Sequence, residues 1–161
     1  GGFPADCGTR SWRGGNVAAS SRALARGLAV QDAGSSVLST LSFREQDVIV
    51  NSSMHSTAAD QERIVPQSTG LYRMTAQLGI RAAASAQSRI RAAIIDSSNL
   101  VVGIQDGIVD TSNAMFLQVS GLKRFNVVGG NCAVRFTNVS GGSTFAFSSG
   151  VTETWFSMEK L

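Results

Sequence analysis

The chain has 161 residues, 43% of them hydrophobic and 16% charged, enough for one domain that buries about two thirds of its unfolded surface without a disulfide framework. Its net charge of +3 is uneven: residues 1–30 hold Arg10, Arg13, Arg22 and Arg26 against Asp6 alone, whereas 31–161 carries ten basic and ten acidic residues. Twelve of the fourteen cations are arginine and they form no dense cluster with interleaved aromatics, while no apolar run is long enough to cross a bilayer, so neither nucleic acid nor a membrane is an expected partner.

Residues 1–21, GGFPADCGTRSWRGGNVAASS, combine five glycines and a proline with no sustained periodicity. Alone, such a piece buries too little to offset its ordering cost. It is either a disordered leader or an arm that orders on a neighbouring subunit, with Phe3 and Trp12 as anchors and Arg10 and Arg13 as ion-pair donors. Residues 22–30, RALARGLAV, fit a short helix or a strand, and Gly27 argues against a long helix. The expected division is therefore a basic, Gly-rich arm over 1–30 and a folded domain over 31–161.

A Gly/Ser turn at 31–36 precedes Val37, Ser39, Leu41 and Phe43, which alternate with Leu38, Thr40 and Ser42 as in a strand. A charged corner at 44–47, the β-branched run 48–50 and a polar loop over 51–63 follow. His55, the single histidine, sits in that loop without Cys, Asp or Glu at ligand spacing, which suits a solvated or loop-bracing role. The clearest strand comes next. Pro66 and Gly70 make a corner, and Tyr72, Met74, Ala76, Leu78 and Ile80 then fall on every second position, so one face is buried.

Beyond a small polar stretch at 81–88, the pattern alternates again over 89–95, turns at 96–99, and gives a short apolar strand over 100–104. Residues 105–113 read as a polar link; its Asp106 and Asp110 lack the regular oxygen spacing of a calcium loop, and no metal or cofactor is expected. Met115, Leu117 and Val119 mark the next strand, and 121–130 connects it to Cys132, Val134 and Phe136. Cys132 reads as a small buried residue. After a Gly141-Gly142 turn, the terminal strand TWFSMEKL sets Phe156 and Met158 on one side and Trp155 on the other. Both of its faces need cover.

About eight strands without a long amphipathic helix imply an all-β, antiparallel two-sheet sandwich, of jelly-roll or immunoglobulin kind, with an extended N-terminal arm. The Cys/Trp/Cys core spacing of immunoglobulin domains is missing, which favours the jelly roll. Tyr72, Met74, Leu78, Ile90, Ile94, Leu117, Val134 and Phe136 are the expected core. No nucleophile motif, phosphate-cradling glycine loop or paired acid and base is present, so the sequence does not read as an enzyme.

Pro66 with Gly70-Leu71-Tyr72, then LQVSGLKRF at 117–125, CAVRFTNVSGG at 132–142 and the terminal TWFSMEKL resemble, in order and spacing over about 36–161, the trimeric jelly rolls typified by complement globular heads and tumour necrosis factor. Where that family often has a Gly-Asp pair, this chain reads Val128-Gly129-Gly130-Asn131. The resemblance implies a homotrimer that binds or assembles, with Tyr72, Trp155 and Phe156 expected at the trimer interface. In bacteriophages similar heads occur on virion surfaces, and the Ser/Ala/Thr/Gly-rich, lysine-poor composition fits that setting. Two roles in the virion follow. One is a capsid cement or decoration protein whose arm laces onto the major capsid protein; the other is a receptor-binding head that recognises a host glycan or protein. The short chain favours the first, since a fibre adhesin carries a long shaft.

Overall fold

Alternation of apolar and polar side chains from Tyr72 to Ile80 does produce a strand with one face buried, and two sheets are assembled around it. The computed structural model describes residues 22–28, 32–33, 38–47, 54–56, 59–81, 86–140, 145–146 and 153–161. Phe3, Cys7, Arg10, Trp12 and Arg13 of the expected arm, the 48–50 run and the 141–142 turn lie outside the described residues.

In chain order the strands are β1 (Arg22–Leu28), β2 (Asp32–Ala33), β3 (Leu38–Thr40), β4 (Phe43–Asp47), β5 (Arg63–Ile64), β6 (Gly70–Ile80), β7 (Ser88–Asp96), β8 (Val101–Val109), β9 (Met115–Phe125), β10 (Cys132–Ser140), β11 (Phe145–Ala146) and β12 (Trp155–Lys160). The first sheet runs β4-β1-β12-β6-β9, and the second runs β3-β10-β7-β8 with β5 also paired to β10. A short β11-β2 ribbon stands apart, and every pairing is antiparallel. The jelly-roll, all-β architecture is as the alternation required.

Between the sheets the first contributes Ala23, Ala25, Tyr72, Met74, Leu78, Leu117, Phe125, Phe156 and Met158, and the second contributes Ile90, Ile94, Cys132, Val134 and Phe136. All eight expected core residues are buried. Full burial of one such aliphatic or aromatic side chain is worth about 1.5–3 kcal/mol. The Tyr72 and Phe125 rings meet edge to face with centroids 5.5 Å apart, and the Tyr72 hydroxyl donates to the Ser68 carbonyl at 3.0 Å, so its one polar atom is satisfied where the β6 corner begins.

Five expectations need correction. The ambiguous stretch at 22–28 is a strand, and because β1 pairs with both β12 and β4 the sandwich begins inside the segment assigned to the arm. The single strand expected over 37–43 is two: β3 joins the second sheet and β4 the first, and between them Leu41 is buried as the chain passes over the core. Residues 44–47 are therefore strand β4 instead of a corner. Residues 105–109 continue β8, and 121–125 continue β9. In β8 the charge of Asp106 is met across the ladder by Arg91, 2.7 Å away, and Arg89, 2.6 Å away, so it sits on the outward face without breaking the strand.

Candidate functional site

The outward face of the first sheet is laid out by the strand register. Trp155 stands opposite Gln77, Ser157 opposite Thr75 and Glu159 opposite Arg73, while across β6 those same residues face Gln118, Ser120 and Leu122. Polar rungs cross it: Gln118 Nε2 donates to Gln77 Oε1 at 2.9 Å, Gln77 Nε2 to the Glu153 carbonyl at 3.1 Å, and Arg73 Nε to Glu159 Oε1 at 2.8 Å. Around these rungs sit half-buried Leu24, Leu71 and Trp155 and exposed Phe116 and Leu122. Planar amides and an internally paired arginine beside large apolar groups make a surface that neither strongly attracts water nor carries net charge at its centre.

Among the described residues β9 and β8 are the last strands of their sheets, and the two edges converge. Gly103 of β8 and Gly121 of β9 allow it, since a Cβ on Gly103 would lie 2.2 Å from the Ser120 carbonyl oxygen and one on Gly121 2.5 Å from the Val102 oxygen. The convergent edge exposes large apolar groups on both sides. Val101, Ile104 and Ile108 of β8 are exposed on one side, Ile104 by 51%, and Phe116 and Leu122 of β9 on the other, Phe116 by 61%. Natural edge strands are usually protected by charges, bulges or cover; β8 carries the ion-paired Asp106 and a register shift opposite Ile94 and Ile95, and its branched aliphatics are exposed beside them.

At one end of the sandwich Asp96 closes the β7–β8 turn. Its Oδ1 accepts from the backbone N–H of Ser98 at 2.8 Å and of Leu100 at 2.9 Å, and its Oδ2 accepts from Lys123 Nζ at 2.7 Å. Because Lys123 belongs to β9, this contact ties the two sheets. The Lys123 ammonium and the two backbone donors hold the Asp96 carboxyl below the usual carboxylate range. Beside this turn, on the outward face of the second sheet, lies a polar depression of about 330 Å³ bounded by β5, β7 and β10.

Two titratable groups, His55 and Cys132, are held inside the fold. His55 is buried, its Nε2 donates to the Gln61 carbonyl at 3.0 Å, and burial lowers its pKa, so it braces the 54–61 loop instead of standing in solvent. Cys132 is a free, buried thiol pushed up to about 12 by burial, well away from a reactive thiolate. No cluster of three metal-ligating side chains occurs among the described residues.

Of the residues expected at a trimer interface, Trp155 has its side chain on the outward face of the first sheet, whereas Tyr72 and Phe156 are fully buried in the protomer's own core and cannot reach a neighbour. Both share the inward phase of Met74 and Met158, which is why the core claims them. Phe116 and Leu122 are the residues that sequence reasoning missed. Their signal was present: each is a large apolar group on the phase that Gln118 and Ser120 mark as outward.

Comparison with solved structures gives the same architecture. The chain is similar to murine APRIL at pH 5.0, with a TM-score of 0.65 and 9% identity over 88% of this chain and 99% of that one. The pH 8.0 and pH 8.5 structures of murine APRIL give TM-scores of 0.59 and 0.53 at 10% and 11% identity, covering 88% and 87% of this chain and 99% of theirs in each case. At such identity the likeness is one of fold, a jelly roll like that of tumour necrosis factor. No protein-family model and no curated protein sequence matches the chain.

Proposed function

We propose that the chain is a non-catalytic homotrimer that serves as a structural, decorating protein of a virion, attached to the major capsid protein through its basic arm. The observation that carries self-association is the open β8/β9 edge, whose Ile104, Ile108, Phe116 and Leu122 stay exposed in the single chain. A ring of three needs a heterologous contact between two different patches, and two are present: Ile104 and Ile108 of β8 on the outward face of the second sheet, and the outward face of the first sheet around Trp155, Phe116 and Leu122. Seating one against the other around a three-fold axis would bury more than about 2,000 Å² in total, as obligate interfaces do.

Attachment to a shell rests on the composition of the arm, where Phe3 and Trp12 can fill pockets and Arg10 and Arg13 can pair with carboxylates. Two measurements test the reading. Light scattering at micromolar protein should give three times the chain mass, and Ile104→Asp with Phe116→Asp should give a folded monomer; a monomeric parent protein overturns the trimer. Deleting residues 1–21 should keep the oligomer yet abolish co-sedimentation with shells that lack the protein, and equal binding by the deleted and intact proteins removes the arm from the mechanism. A receptor-binding head is the second reading, favoured by the polar depression at the turn end of the sandwich. Attachment of the intact protein to host cells and not to shells would promote it.

A further inference from the structure

We propose that the depression on the outward face of the second sheet is a binding site for a sugar acid, with Arg135 holding the carboxylate. The site lies on the sheet opposite to the one that carries Trp155, and it stands whether or not copies assemble as proposed above.

Its charge balance points to an anion. Asp96 at its rim is committed to Lys123 and to two backbone donors, and Glu62 is committed to Arg63, 3.2 Å away, which also lies 3.5 Å from Asp60. Of the other sheet arginines, Arg73, Arg89 and Arg91 each have a carboxylate partner as well, and Arg124 is exposed on β9 of the first sheet, away from the depression. Arg135 differs: it is half-buried on β10 opposite Ala93, and its guanidinium donates from Nη2 to a neutral amide oxygen, Asn99 Oδ1, with no carboxylate partner among the described residues. Arginine's fork is built for two parallel bonds to a carboxylate; Asn99 takes one of the two Nη2 hydrogens, and the other, together with the N–H beside it on the opposite edge of the guanidinium, is left to form such a pair.

The surroundings fix the fork and suit the remainder of a sugar. Asn99 holds a φ of +62°, a conformation asparagine tolerates, and its N–H donates to the Asp96 carbonyl at 3.0 Å, so the turn sets where its amide meets Arg135. Ile95 and Ala133, both buried, form a small flat apolar floor on which the C–H face of a ring can rest. Ser97 and Asn131 at the rim have side-chain groups available for hydroxyls. At about 330 Å³ the depression is at the small end of ligand sites, which suits one sugar ring better than a peptide or a longer chain.

Titration of the isotope-labelled protein with glucuronate, glucose or acetate, followed by amide NMR, tests the assignment. Glucuronate should move resonances of residues 95–99 and 131–135, with glucose and acetate each binding at least about tenfold more weakly, because one lacks the carboxylate and the other the ring. Arg135→Gln should weaken glucuronate at least about tenfold, and Arg135→Lys should not restore it, since a point charge does not reproduce the fork. The proposal is overturned if glucose or acetate binds as tightly as glucuronate, if Arg135→Gln binds like the parent, or if resonances of neither segment move. The comparison of the three ligands on the parent protein decides the matter even where a variant misfolds.

Discussion

Gly103→Ala is a single-methyl change with a large expected effect. The new Cβ would lie 2.2 Å from the Ser120 carbonyl oxygen and 2.8 Å from its carbon, where ordinary contact begins near 3.4 Å. Both atoms are backbone, so no rotamer change relieves the clash, and β8 must withdraw from β9 along the converged edge. Overpacking of this kind costs about 1–3 kcal/mol. In a chain of 161 residues each kcal/mol lowers Tm by about 2–4 °C, so a fall of several degrees is expected in a thermal melt. Gly107→Ala is the internal control, because its Cβ would meet the Met115 Cε and Leu117 Cδ1 at 3.0 and 3.1 Å, side-chain ends that can move. Gly121→Ala should cost a similar amount to Gly103→Ala, and the double variant less than the sum, since one retreat of β8 relieves both clashes. Equal melting of Gly103→Ala and Gly107→Ala would refute the crossing as a close contact.

Leu78→Ala, which empties a fully buried position between the sheets, should cost about 2–5 kcal/mol and shift a denaturation midpoint clearly; an unchanged midpoint would mean that β6 is out of phase. The Asp96 carboxyl is held down mainly by its hydrogen bond with Lys123, so its contribution is present above the unfolded carboxyl pKa of about 3.9 and is lost as pH falls through the lower folded value. Asp96→Asn should therefore lower Tm at neutral pH and flatten the acid limb of the Tm profile, whereas parallel profiles for variant and parent between about pH 5 and 2 would contradict the assignment.

How legible the fold was depended on whether the information was local. β6 and β7 could be read because consecutive residues carry the alternation, and the core residues followed from the same phase. β8 was lost at Gln105 because Asp106 looks like a link residue until Arg91, fifteen positions upstream, is known to lie opposite it. The split at Leu41 could not be seen, since Leu41 and Phe43 are equally apolar and only the topology decides that the strands on either side belong to different sheets. Of the residues expected at a trimer interface, Trp155 lies on the polar, outward phase, whereas Tyr72 and Phe156 share the phase of the core. The depression beside Arg135 was invisible in the sequence: Arg63, Asn99 and Arg135 come from three separate segments, and only the pairing of β10 with β5 and β7 brings them together.

β12 occupies the centre of the first sheet, yet it follows every other described strand in the sequence. β1 and β4 connect to β6 and β9 only through it, so a growing chain holds the sheet as two separate ribbons until residues 155–160 arrive. Each ribbon then offers a bare edge, one along β1 and one along β6, separated by the width of a single strand. Closing that slot is a late, long-range step of the kind that makes folding slow. A neighbouring chain's β12 has the same sequence and fits the same slot, so crowded synthesis gives this fold a direct route to strand-exchanged copies.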